Sequence, residues 1–292
     1  MRSGADQTLR QLELTVNRSL DGLLHGDHRG LVPGAGTEAG EGRVYQPGDD
    51  VRRIDWNLTA RTTVPHVRDT VAERELETWL VVDGSASIDF GTADCEKRDL
   101  ALAAVAAFGF LTARGGSRIG AVLFDADGAA LLQPRTGRNA VFALLRRLQA
   151  RERAAPGEAS LADALRRVRH VARRRGLVVV VSDLLDGSAW QRELRALSTR
   201  HDVVVAELRD PRESELPASG LLTLVDPETG RRREVQTSSP RLRARFEAAA
   251  RAQRAAIVHD VRAAGAAHLE LSTDRAWLKD VVRFVTARRR RR

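Results

Sequence analysis

Two short apolar runs, each ending in an aspartate, constrain the fold of this chain more than anything else in it. Leu80-Val81-Val82-Asp83 closes one segment, and Leu177-Val178-Val179-Val180-Val181-Ser182 runs directly into Asp183. Uninterrupted runs of this length, rich in β-branched residues, read as strands buried on both faces, the mark of a parallel sheet covered by helices. Strands are expected over 76–83, 117–124, 129–132, 177–182 and 202–208, and helices over 98–113, 139–149, 161–174 and 189–199. That alternation predicts an α/β fold, a doubly wound and mostly parallel sheet flanked by helices. Asp125-Ala126-Asp127-Gly128 predicts a hairpin between two of the strands.

The two ends of the chain are less regular. Leu9, Leu12, Val16, Leu20 and Leu23 give helical spacing over 8–24, followed by a glycine-rich passage over 25–42 that opposes both helix and strand. Toward the other end, 221–225 and 231–235 flank Asp226-Pro227-Glu228-Thr229-Gly230, which reads as a hairpin. A long helix over 242–264, a strand over 268–271 and a helix over 275–288 follow. The expected organisation is an N-terminal helix and glycine-rich loop (1–42), an arm (43–75), the sheet domain (76–210), and a C-terminal α/β extension (211–292) whose hairpin and helices complete it.

Composition removes several function classes. Cys95 is the single cysteine, which excludes an internal disulfide and any multi-cysteine metal site. The N-terminal residues lack the apolar core of a signal peptide, and the longest apolar run, Ala101 to Ala113, is too short to span a bilayer. A cytoplasmic location is expected. The net charge of +9 invites a nucleic-acid reading, but the arginines are interleaved with acidic residues and aromatics make up only 4%. The dense run Arg288 to Arg292 reads as a solvated helix end favourably placed against the helix dipole. A basic scaffold for an acidic partner, nucleic acid or an anionic membrane surface, stands as the alternative to the reading below.

In an open α/β sheet, ligands bind outside the carboxyl ends of the strands. Asp83-Gly84-Ser85-Ala86-Ser87 places one carboxylate and two hydroxyls there. These are hard oxygen donors suited to a small cation such as Mg²⁺ or Mn²⁺ that keeps some of its waters. The same residues would also serve simply to cap the turn after the strand. If the strands ending in Asp83 and Asp183 are neighbours, both carboxylates face one crevice, with Ser182 beside them. No GxxxxGK[ST] or GxSxG motif is present. A metal-dependent phosphohydrolase of the aspartate-nucleophile type usually carries a second aspartate where Ser85 stands, so the chain is expected not to be an enzyme. His66 has no partner nucleophile in view and reads as a surface histidine.

Asp83-Gly84-Ser85-Ala86-Ser87 matches the DxSxS metal motif of von Willebrand factor A domains, and Asp183 falls where their second aspartate would. A closer resemblance covers residues 42–284. Tyr45-Gln46-Pro47-Gly48-Asp49-Asp50, Arg52-Arg53-Ile54-Asp55-Trp56 and Ala60-Arg61 look like the hallmark of the bacterial family called domain of unknown function fifty-eight. In that family the hallmark precedes a von Willebrand factor A-like, Rossmann-like domain, through a spacer that here carries Glu73, Glu75 and Glu77 ahead of Trp79. Gly137 to Asn139, Ser182-Asp183 and Asp210-Pro211 also resemble family features. The resemblance implies a metal-dependent adhesion site at Asp83, Ser85, Ser87 and Asp183, completed by an acidic side chain of a partner protein. It also implies a MoxR-type AAA+ ATPase as partner, in chaperone-like assembly or maturation of other proteins. One departure stands out: the family's usual threonine before helix 161–174 is replaced by Ala159. Ser160 would supply a hydroxyl only if the loop shifts, and is otherwise the N-cap of that helix, so weak metal binding is expected. The charged hallmark residues read as a network fastening the arm, with Tyr45 and Trp56 packed beneath.

Overall fold

The computed structural model describes residues 9–18, 42–46, 51, 54–68, 77–114 and 116–290. A six-stranded sheet runs in the order β10 (Ala267–Ser272), β7 (Asp202–Arg209), β6 (Gly176–Ser182), β3 (Glu77–Asp83), β4 (Arg118–Asp125), β5 (Gly128–Thr136). All neighbours pair in parallel except β4 and β5, joined by the expected hairpin at 125–128. This is the doubly wound, mostly parallel sheet that the two apolar runs predict. Strand β10, far along the chain from the others, joins the same sheet at its edge.

Side-chain alternation along buried strands sends successive residues to opposite faces, and the core divides accordingly. Leu80, Val82, Val179 and Val181 face α3 (Lys97–Arg114), α4 (Arg138–Gln149) and α8 (Trp277–Arg290). Trp79, Val81, Val178 and Val180 face α5 (Leu161–Val171), α6 (Trp190–Ser198) and α7 (Pro240–Ala263). Helix α1 (9–18) joins the first face through Leu9 and Val16, and Glu13 pairs with Arg138 at the start of α4. Helix α3 is buried on almost every side because it lies between the sheet and other helices of that face, which explains its run of alanines.

Three smaller elements complete the described chain: the arm pair β1 (Gly42–Val44) with β2 (His66–Arg68), α2 (Trp56–Thr62), and the hairpin of β8 (Leu221–Val225) with β9 (Arg232–Gln236). The hallmark residues Pro47 to Asp50, Arg52, Arg53, Glu73 and Glu75 lie outside the described residues. Asp55 caps α2, accepting from the backbone of Asn57 (3.0 Å) and Leu58 (3.2 Å). The expectation that Trp56 is packed beneath the arm is wrong. It follows the cap as the first residue of a helix with no buried positions, and it is 71% exposed. His66 opens β2, half-buried, with its ring against the carbonyl of Val64 and the hydroxyl of Thr62. Among the described residues no helix is long and apolar enough to cross a membrane.

Because β3 has β4 on one side and β6 on the other, the connections leaving its carboxyl end and that of β6 diverge, opening a crevice at the switch in strand order. The two strands start as closely as they end. A Cβ on Gly176 would stand 1.9 Å from the carbonyl oxygen of Glu77 on β3, and neither backbone can retreat within the ladder. Gly176→Ala should cost about 3 kcal/mol or more. Chemical denaturation would register it, and an unchanged midpoint would contradict this packing of β3 on β6.

Candidate functional site

Strands β3 and β6 pair in register from Glu77–Gly176 to Val82–Val181, so Asp83 and Ser182 finish side by side, and Asp183 follows immediately. The Asp83 carboxylate accepts from the backbone of Ser85 (2.9 Å) on Oδ1 and from the Ser182 hydroxyl (2.6 Å) on Oδ2. Ser182, expected beside the site, therefore supports Asp83 across the strand pair. The hydroxyls of Ser85 and Ser87 lie 3.0 Å apart, and that of Ser87 stands close enough to Asp183 to help lower its carboxyl. Asp83, Ser85, Ser87 and Asp183 are thus brought together as one cluster of oxygens, and all four are buried.

The loop that carries the two serines is fixed from outside. Arg151 donates to the carbonyl of Gly84 (2.8 Å) and to Asp89 Oδ1 (2.7 Å), while Asp89 Oδ2 accepts from the backbone of Ala154 (2.8 Å). Arg98 approaches the same carboxylate at 3.4 Å. With both oxygens of Asp89 engaged, Ser85 and the short 3-10 turn Ala86–Asp89 that carries Ser87 are held in place.

The two aspartates differ in electrostatic state. Burial pushes the Asp83 carboxyl up, the negative charge of Asp183 pushes it further, and hydrogen bonds from Ser182 and Ser85 only partly offset this, leaving it at about 7. Burial would raise Asp183 as well, but the charge and hydrogen bond of Lys97 outweigh it and hold that carboxyl below the ordinary range. Lys97 Nζ lies 2.7 Å from Asp183 Oδ2 and 2.5 Å from Glu213 Oε1. Burial alone would lower the ammonium, yet these two carboxylates hold it above its usual value. Beyond it, Arg254 bridges Glu207 (2.7 Å) and Glu213 (2.8 Å), and His268 meets the other oxygen of Glu207 (2.6 Å). Sequence reasoning missed this whole network. Its members come from α3, β7, the turn after β7, α7 and β10, with no local spacing to connect them.

Ser160 is placed as the N-cap of α5, its hydroxyl accepting from the backbone of Asp163 (3.2 Å). Ala159 packs against the apolar core on that face. Asp186, also missed, accepts from the backbone of Leu161 (3.0 Å), and its other oxygen is buried without a hydrogen-bond partner. A further carboxylate reaches the site from the β8–β9 turn: Glu228 Oε1 accepts from the backbone of Ser87 (3.0 Å). Asp210 accepts from the backbone and hydroxyl of Thr92 (2.7 and 2.6 Å) and the hydroxyl of Thr273 (2.7 Å). It is a structural tie beside the crevice. Among the described residues no three His, Cys, Asp or Glu side chains form a metal cage by themselves, so the donor set here is mixed carboxylate and hydroxyl.

A parallel sheet with one antiparallel edge strand, carrying an Asp-x-Ser-x-Ser strand end at its switch point, defines a von Willebrand factor A-like α/β domain. The chain belongs to the family described as Protein of unknown function DUF58, which matches residues 41–256. An uncharacterized protein of Mycobacterium tuberculosis is 54% identical over 285 residues, covering 97% of this chain and 89% of the relative. Among solved structures, the conserved hypothetical protein BatB from Bacteroides thetaiotaomicron shares 12% identity at a TM-score of 0.45, over 74% of this chain and 99% of that one. The VWA domain of SpRpn10 shares 11% at 0.41, over 71% and 93%.

The raised carboxyl of Asp83 gives a test. A carboxylate raised on folding binds a proton more tightly in the native state, so its contribution to stability falls as pH rises from about 4 to about 7. Asp83→Asn removes that loss. Without divalent cations the variant should melt several degrees above the parent at pH 8, with the difference vanishing toward pH 4. Equal melting curves at pH 8 would contradict the frustrated carboxylate pair.

Proposed function

We propose that this chain is a non-enzymatic protein-interaction module that holds Mg²⁺ or Mn²⁺ through Asp83, Ser85, Ser87 and Asp183. The observation that carries this reading is the meeting of two buried carboxylates and two buried hydroxyls at adjacent strand ends. The residues fit the ion chemically. They are oxygen donors of the hard type, and the crowding of negative charge that raises Asp83 is what a divalent cation would relieve. Bound there, the cation supplies an electropositive position that a carboxylate can complete.

The chain's own residues divide the remaining work. Ser182 and the Ser85 backbone orient Asp83. Lys97 keeps Asp183 ionised, and because it already occupies one oxygen of that carboxylate, the ion is held chiefly by Asp83 and the serines, with water completing the shell. With Ala159 where the family usually has threonine, and the Ser160 hydroxyl engaged as a cap, weak binding is the expectation. The partner in this reading contributes an Asp or Glu side chain. A MoxR-type AAA+ ATPase, in assembly or maturation of other proteins in the cytoplasm, is the partner in this reading, implied by the resemblance of the sequence hallmark alone.

Calorimetric titration with MgCl₂ and MnCl₂ tests the reading. The parent should bind one ion and Asp83→Ala should bind none. Equal binding by both proteins, or binding by neither, would remove the metal-bridged module.

A further inference from the structure

We infer that Glu228 is the site's internal carboxylate ligand, standing where a partner's acidic side chain would stand, so that the β8–β9 hairpin and the partner compete for one position. The inference rests on the cation site proposed above. It starts from a contact across 141 residues of chain: the tip of an otherwise separate two-stranded sheet delivers one glutamate oxygen to the backbone N–H of Ser87. Ser87 is itself one of the four site residues, so this contact fastens Glu228 to the backbone of the loop that carries the site hydroxyls. The second oxygen, Oε2, is buried there and has no hydrogen-bond donor. A buried carboxylate oxygen without a donor is costly. A cation held beside the Ser87 loop would satisfy that oxygen.

The turn is built to present this side chain. Asp226 accepts from the backbone of Glu228 (3.0 Å) and the hydroxyl of Thr229 (2.6 Å), and the turn closes through Gly230 in a left-handed conformation, φ +68°. At the far end the hairpin is anchored: Thr237 is fully buried, bonds to the Gly220 carbonyl (2.8 Å), and is held by Arg243 of α7 (2.6 Å). Between base and tip the strands are largely exposed, with Leu221 and Val225 uncovered. A hairpin fixed at its base and ordered at its tip, with few apolar contacts between, can leave the site without disturbing the sheet. The partner's carboxylate then takes the place that Glu228 vacates.

Hydrogen exchange with and without MgCl₂ tests this, on the parent, Glu228→Gln, and Glu234→Gln as an exposed carboxylate control on the same hairpin. In the parent and the control, Mg²⁺ should slow exchange severalfold in peptides covering both 84–90 and 226–230. In Glu228→Gln it should slow 84–90 alone, and the Mg²⁺ affinity measured by calorimetry should fall about tenfold. Protection of 84–90 without 226–230 in the parent would overturn the inference and leave the cation site standing. Retained protection of 226–230 in Glu228→Gln would overturn it too. No response in either segment of any protein would remove the cation site, and the role of Glu228 with it.

Discussion

A single buried ammonium organises this crevice. Lys97, fully enclosed at the start of α3, touches Asp183 at the end of β6 and Glu213 in the turn after β7. A buried cation survives only with partners that repay its lost hydration, and removing one partner from such a set is severely destabilising. Around Lys97 the partners are shared onward, through Arg254 to Glu207 and from Glu207 to His268. The result locks together the carboxyl ends of β6 and β7, the start of β10, and helices α3 and α7. Asp183 is thereby spoken for, and Asp83 next to it is left as the carboxylate with unmet electrostatic need.

That asymmetry shapes what the site can do. Had both aspartates been paired with basic side chains, the crevice would be a structural joint and nothing more. Instead one is neutralised from inside the protein while the other, pushed up to about 7, stands beside two hydroxyls, on a loop whose backbone also binds a glutamate from a distant hairpin. The fold sets the conditions for this. Parallel pairing of β3 with β6 puts both strand ends at the same height, and the divergence of their connections leaves room above them.

Much of this was legible in the sequence, for a physical reason. Strands buried on both faces must be apolar without interruption, so 80–83 and 177–183 announced the sheet and its two terminal aspartates. The Asp-x-Ser-x-Ser spacing placed its hydroxyls because a turn directly after a strand has little freedom. What escaped were contacts between distant elements. Lys97 stands just ahead of the helix expected over 98–113, Arg254 lies on a helix rich in arginine, and Glu228 lies in the expected turn. Local pattern says nothing about where such side chains end up. Trp56 misled for the opposite reason: an aromatic among charges suggests an anchor, but the cap at Asp55 starts a helix that leaves it in solvent. Ser160 carried two readings, and the structure uses its hydroxyl as the cap.

The central claim is that Asp83, Ser85 and Ser87, with Asp183 beside them, hold a divalent cation. Anomalous diffraction at the manganese edge, from crystals grown with MnCl₂, addresses it most directly. The account predicts one strong peak bonded to the Asp83 carboxylate and the hydroxyls of Ser85 and Ser87, with Lys97 still on Asp183. An empty crevice at saturating Mn²⁺, with the four side chains ordered and bonded only to one another, would contradict it.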